Sequence, residues 1–263
     1  EVYNLAAQTQ VNVSFQAPVA TFEANGLGAL HILDAIREAK LPTRLFQAGS
    51  AELFGALAES PQTESTPFRP LSPYATAKLF AHWIVRNYRE SYGMHAGNGI
   101  LFNHESPLRT ENFVTRKITA TLARIRAGRP ETLRLGHLDV RRDWGYAKDF
   151  VEAMWMMLQR PEAGDYVIAT GETHSVREFV ELAAELAGFR LGWEGAGIEE
   201  VGRDARSGKI LVAIDPAFYR PLDRESARGD AGKAARELGW FPKVRFAQLV
   251  ELMMRADLER LAA

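Results

Sequence analysis

Residues 72–78 read Ser72-Pro73-Tyr74-Ala75-Thr76-Ala77-Lys78, and residues 43–52 read Thr43-Arg44-Leu45-Phe46-Gln47-Ala48-Gly49-Ser50-Ala51-Glu52. Together these two stretches set the fold. Ser72 suits a helix N-cap and Pro73 the first helical position. From there Leu79, Phe80, Trp83, Ile84 and Tyr88 keep a helical rhythm as far as Tyr92. The spacing puts Tyr74 and Lys78 on one helix face, one turn apart. The earlier stretch reads as a buried strand running into a loop of small residues. In an open α/β sheet such a strand end lies where ligands bind.

The chemistry of these residues is a proton relay. A free tyrosine has a pKa of about 10 and is a poor base at neutral pH. A cation held beside it stabilises the phenolate. Tyr74 and Lys78 are therefore candidate catalytic residues. Ser50 is placed to hydrogen-bond a substrate hydroxyl, and Glu52 adds a second acid/base group.

Strand and helix patterns alternate around this centre. A helix closes over Asp34 to Lys40, followed by the strand at Arg44, the helix from Tyr74 and a strand from Ala96 to Phe102. Asp149 to Gln159 reads as a helix and Tyr166 to Ala169 as a strand. This alternation predicts an α/β fold, a Rossmann-type parallel sheet with helices on both faces. Residues 103–142 and 174–263 are more irregular. Helices are expected there at Thr115–Ala127, Val176–Leu186, Ala231–Leu238 and Phe246–Leu261, and Gly239-Trp240 with Pro242 marks a helix stop. The expected organisation is a dinucleotide-binding domain from residues 1–102 and 143–173, with 103–142 and 174–263 forming a smaller mixed substrate-binding lobe.

Composition sets the outer bounds. The chain has 263 residues, 46% hydrophobic and 25% charged, which is ordinary for a soluble globular protein with ample core. Its formal net charge of −1 gives no general pull toward nucleic acid or membrane. Arg116-Lys117 and Arg141-Arg142 are therefore read as phosphate ligands. The absence of cysteine excludes a disulfide framework and thiol catalysis and permits a reducing compartment, so a cytoplasmic location is expected. No apolar run is long enough to span a bilayer, and the N-terminus lacks signal-peptide form. The six histidines have no H-x-x-x-H spacing, so no metal site is expected.

Further motifs extend the reading. They include Leu5-Ala6-Ala7-Gln8-Thr9 after a short strand, Ser50-Ala51-Glu52-Leu53-Phe54-Gly55, and Asn103-His104-Glu105-Ser106-Pro107. Glu111-Asn112-Phe113-Val114-Thr115-Arg116-Lys117, Arg142-Asp143-Trp144-Gly145 and Tyr219-Arg220-Pro221 follow in the same order as in a known group. On these residues the chain resembles the extended short-chain dehydrogenase/reductase family, and within it the GDP-mannose 4,6-dehydratases, over almost its whole length. The resemblance implies an NADP cofactor and GDP-mannose as substrate. It also implies a homodimer or homotetramer. It places Ser50 in the role of a catalytic threonine and matches Glu52, Tyr74 and Lys78 directly. It gives cofactor contacts to Leu5, Ala6, Ala7, Gln8, Thr9, Tyr74, Lys78, His104 and Arg109. It gives the GDP-sugar to Asn103, Lys117, Arg142 and Arg220. The implied reaction is an internal redox dehydration in which Glu52 removes the C5 proton and assists loss of water from C6. Sugar epimerases and 4-keto reductases of the same fold need no such second base. They are the nearest alternative, and a binding module without activity is another.

One expected feature has no match. The fold usually grips a dinucleotide through a glycine-rich turn between its first strand and first helix. Gly26-Leu27-Gly28 is the nearest sequence, and it lies in a helical pattern that suits packing against the sheet. The reading is therefore of a truncated sheet lacking its N-terminal part, roughly 80 residues making up the first half of the usual domain. Weak NADP binding and an exposed apolar edge strand are the corresponding expectations.

Overall fold

The computed structural model describes residues 1–55, 60–218 and 228–262. In chain order its elements are β1 (Val2–Asn4), α1 (Val11–Gln16), α2 (Pro18–Phe22), α3 (Gly28–Glu38), β2 (Leu45–Ala48), α4 (Pro73–Tyr92), β3 (Ala96–Leu101), β4 (Asn103–Glu105) and α5 (Val114–Arg126). They continue with β5 (Leu133–Leu135), β6 (Arg141–Arg142), β7 (Trp144–Tyr146), α6 (Ala147–Gln159), β8 (Tyr166–Ile168), β9 (His174–Ser175) and α7 (Val176–Leu186). The last are β10 (Leu191–Glu194), β11 (Val201–Asp204), β12 (Ile210–Ile214), α8 (Gly232–Leu238) and α9 (Phe246–Ala262). The chain divides into two units. One comprises Glu1–Asn103, Lys148–Glu172 and Ala227–Lys243; the other comprises His104–Ala147, Thr173–Ser226 and Val244–Ala263.

The first unit is built on a parallel sheet of order β1-β2-β3-β8. Alternation along the strands sends side chains to opposite faces. Leu45 and Ala96 pack with Leu33 and Ile36 of α3 and Val85 and Tyr88 of α4. Phe46, Leu101, Tyr166 and Ile168 pack on the other side with Phe150, Met154 and Met157 of α6. Helices thus cover both faces, as the alternating pattern predicts. The centre of the sheet is narrow. A Cβ on Gly99 would lie 2.7 Å from the ring of Phe46, so the bulk that fills this layer comes from the aromatic neighbour. β1 pairs with β2 alone among the described residues and forms the sheet edge, with Tyr3 half-exposed along it.

The second unit has its own core. The sheet β10-β11-β12-β5 is antiparallel except for the parallel β12–β5 pair. Its buried Leu133, Leu135, Leu211 and Val212 pack with Ile118 and Leu122 of α5, Phe179 and Val180 of α7, and Leu249 and Met253 of α9.

Two boundaries differ from the sequence reading. Residues 227–243 belong to the first unit, because Trp240 is a large apolar anchor buried beside Phe150 and its Nε1 donates to Asp149 O at 2.9 Å. Residues 143–147 belong to the second, where Trp144 lies against Phe179 and Phe246. Among the described residues no helix is long and apolar enough to cross a membrane.

Candidate active site

The relay helix starts as its sequence dictates. Ser72 Oγ accepts from the Ala75 N–H at 3.1 Å, Pro73 occupies the first turn, and Gly93 ends the helix in the left-handed conformation at φ +64°. Tyr74 and Lys78 follow on the buried face, 9% and 3% exposed. Lys78 Nζ donates to Ala48 O at 2.9 Å, which ties the helix to the carboxyl end of β2. Burial lowers the Lys78 ammonium from its ordinary 10.5 to about 8. Among the described residues it makes no ion pair, so its charge is left for a phenolate or a bound anion.

The segment after β2 holds the other two catalytic candidates. Gly49 N donates to Gly99 O at 2.8 Å, and a 3-10 turn follows over Ala51–Phe54. Ser50 caps this turn: its Oγ accepts from the Glu52 N–H at 3.2 Å, which orients the hydroxyl and leaves its proton to donate elsewhere. Fully buried Leu53 and Phe54 anchor the turn, and Glu52 is half-buried. Gly55 closes it at φ +60°, where a Cβ would meet Arg69 O at 1.6 Å, so any other residue forces the turn apart. Ser50 and Glu52 therefore leave the same strand end to which Lys78 is bonded.

The loop Leu5–Thr9 leaves the carboxyl end of the neighbouring β1. Leu5, Ala6 and Thr9 are exposed, and Ala7 and Gln8 half-buried. Its backbone is clamped by Asn25, a residue that the sequence reading passed over. Asn25 Oδ1 accepts from Gln8 N at 2.7 Å and its Nδ2 donates to Gln8 O at 2.9 Å. Asn25 sits in a π-helical turn, Glu23–Leu27, which carries its side chain inward. An amide beside Gly26 in an apolar helical pattern was the available signal. Gly26 itself packs against α4 rather than the sheet: a Cβ there would lie 3.3 Å from the Phe80 ring.

A cavity of about 590 Å³ in the first unit lies elsewhere, lined by Phe68, His82, Trp83, Arg89, Asp165 and Lys233 among others. Arg89 and Asp165 pair within it at 2.7 Å, and it contains none of the relay residues.

Asn103 is exposed at the end of the first unit's segment. His104, Arg109, Lys117 and Arg142 belong to the second, and all four are half-buried. Lys117 Nζ lies 3.2 Å from the centroid of the Phe218 ring, and burial lowers its pKa while Asp215 opposes the shift. Arg142 Nη1 donates to Arg141 O at 2.9 Å. The adjacent cations have internal duties. Arg116 Nε donates to Asp257 Oδ2 at 2.9 Å, and Arg141 pairs with Glu178 at 2.7 Å and donates to Thr173 O. Reading both members of each basic pair as phosphate ligands is corrected for these two. Arg220 lies outside the described residues.

A doubly covered parallel sheet with a Tyr-x-x-x-Lys helix bonded to a Ser-x-Glu strand end defines an enzyme of the extended short-chain dehydrogenase/reductase class. The family model described as GDP-mannose 4,6 dehydratase matches residues 1–253. The chain belongs to this family, a group of NADP-linked lyases of nucleotide-sugar metabolism. It is 55% identical over 261 residues to GDP-mannose 4,6 dehydratase of Drosophila melanogaster, covering 98% of this chain and 66% of that protein. It is 55% identical over 263 residues to GDP-mannose 4,6-dehydratase of Sinorhizobium fredii, covering 99% of this chain and 75% of that one. The fold superposes on RMD from Pseudomonas aeruginosa, solved with NADPH, at a TM-score of 0.84 and 25% identity, covering 98% of this chain and 81% of that one. The family match runs from the first residue. It overturns the expectation of a family member lacking its N-terminal part.

Proposed function

We propose that this protein converts GDP-D-mannose to GDP-4-keto-6-deoxy-D-mannose by NADP-linked internal redox dehydration. The observation that carries the reading is the buried Lys78 cation, bonded to the strand end from which Ser50 and Glu52 project. The residues fit a dinucleotide. The Leu5–Thr9 backbone is fixed by Asn25, and Lys78 has no carboxylate among the described residues to neutralise it.

NADP, when bound, would supply the hydride acceptor for oxidation at C4 and the hydride donor for reduction at C6. Tyr74, as phenolate, takes the proton from O4, and Lys78 holds the phenolate. Ser50 donates its hydroxyl proton to a substrate oxygen while its lone pair stays on Glu52 N–H. The C4 ketone acidifies C5, and Glu52 removes that proton and assists departure of the C6 hydroxyl as water. Asn103, Lys117, Arg142 and Arg220 hold the GDP-sugar, the cations meeting its diphosphate. His104 and Arg109 contact the cofactor. A cytoplasmic homo-oligomer acting on a small molecule, without nucleic acid or membrane, completes the reading.

The test is incubation of the chain with GDP-mannose and NADP+, followed by mass spectrometry. A product lighter by one water is expected. Glu52→Gln should bind cofactor as before and lose dehydration by about 10²–10⁴-fold. An epimer of unchanged mass, or full dehydration by Glu52→Gln, overturns the assignment.

A further inference from the structure

Glu105 is a buried carboxylate to which the mechanism gives no task. It is 2% exposed at the end of β4, and its Oε2 accepts from Thr115 Oγ1 at 2.7 Å. The same oxygen lies 3.2 Å from Arg109 Nε, a charge contact with the inner edge of that guanidinium. Arg109 Cζ stands 3.6 Å from the centroid of the Phe113 ring. The inner edge of the guanidinium thus faces an anion without a hydrogen bond from Nε, and its plane lies on an aromatic face. Its Nη1 and Nη2 have no partner among the described residues, and the side chain is 27% exposed. A planar fork held in this way matches a phosphate bidentately, and holding it beforehand removes the ordering cost of binding.

The backbone around Arg109 is anchored separately. Arg116 Nη1 donates to Arg109 O at 3.1 Å, and Arg260 Nη2 donates to Pro107 O at 2.7 Å. Both arginines are held by Asp257. The Glu105 carboxylate is therefore not what keeps the loop in place. Burial raises the Glu105 carboxyl pKa, while the Arg109 cation and the Thr115 hydroxyl act against it. A buried carboxylate is costly unless it serves such a partner.

We propose that Glu105 is a positioning residue for Arg109, clamping it on Phe113 so that Nη1 and Nη2 present a preformed fork to a ligand phosphate. The inference rests on the cofactor contact assigned to Arg109 above and adds the residue that sets its geometry. NADP and the GDP-sugar both carry phosphate, so NADP+ and GDP are titrated separately against the wild-type chain, Glu105→Gln, Arg109→Ala and the double variant. Glu105→Gln keeps an acceptor for Thr115 and removes the charge facing Arg109. It should weaken one of the two ligands by roughly tenfold, the scale of ordering one rotamer-rich side chain. In the Arg109→Ala background the same change should have no effect. NMR relaxation of the Arg109 Nε–H in the ligand-free chain should report an ordered guanidinium in wild type and a mobile one in Glu105→Gln. A guanidinium that stays ordered in Glu105→Gln overturns the proposal, as does a Glu105→Gln binding defect that persists undiminished in the double variant. If Arg109→Ala weakens neither ligand, the cofactor contact itself fails. If it weakens one and Glu105→Gln weakens none, only the positioning role fails.

Discussion

Lys78→Met separates the two things that Lys78 does in this fold. The ammonium is buried, and burial takes its pKa from 10.5 to about 8. At 1.36 kcal/mol per unit, that corresponds to roughly 3 kcal/mol of destabilisation when Lys78 is charged. The unfolded chain binds this proton up to pH 10.5 and the folded chain only to about pH 8. The unfolded state therefore carries more protons between those values, and wild-type stability rises with pH through that window. Methionine fills a similar volume without charge, but it removes one of the two donors to Ala48 O, leaving Gln47 Nε2 at 3.1 Å, a loss of at most about 1 kcal/mol. Lys78→Met should then be more stable than wild type by about 2 kcal/mol at pH 7, and its advantage should vanish or reverse near pH 10.5. Urea denaturation of both proteins from pH 6 to pH 10.5 measures this. Activity in the same variant should fall by about 10²–10⁴-fold, because the phenolate has lost its cation. A Lys78→Met protein less stable than wild type at pH 7, or a stability difference that does not change with pH, refutes the reasoning.

Other substitutions probe the scaffold. Asn25→Ala removes both bonds to the Gln8 backbone and should cost about 1–3 kcal/mol, with hydrogen exchange at Gln8 rising more than at the sheet centre. Asp257→Asn takes the buried counter-charge from Arg116 and Arg260 and should lower stability by about 3 kcal/mol, read from the urea midpoint. Ser72→Ala deletes the cap of α4 and should cost about 1 kcal/mol, with Ser72→Asp close to wild type by thermal denaturation.

Elements whose signals are local were legible in the sequence. Ser72-Pro73 starts α4 and the apolar rhythm runs to Tyr92, because capping and helical periodicity involve only a few neighbouring residues. Val176–Leu186 reads as a helix and forms one, with Ser175 Oγ accepting from Glu178 N. The parallel sheet follows from the alternation of these elements, since parallel strands require crossovers between them. The Tyr74–Lys78 spacing and the Ser50–Glu52 turn likewise needed no tertiary information to identify.

What the sequence leaves undecided is which polar groups the fold uses internally. Arg116 and Lys117 are adjacent and equally basic, yet Asp257, 141 residues from Arg116, pairs with Arg116 and, among the described residues, not with Lys117. Arg141 is likewise drawn to a distant carboxylate, Glu178. Asn25 reaches the Leu5–Thr9 loop across 17 residues because a π-helical turn aims it inward. The pKa of Lys78 depends on the layers packed around it and has no counterpart in the heptapeptide that contains it. Helix signals, caps and motif spacing are settled within a turn or two of the chain, so the sequence by itself determined the elements and the chemistry they carry. Burial and charge pairing depend on residues brought from far along the chain, so only the tertiary structure decided which arginines and carboxylates hold the fold together.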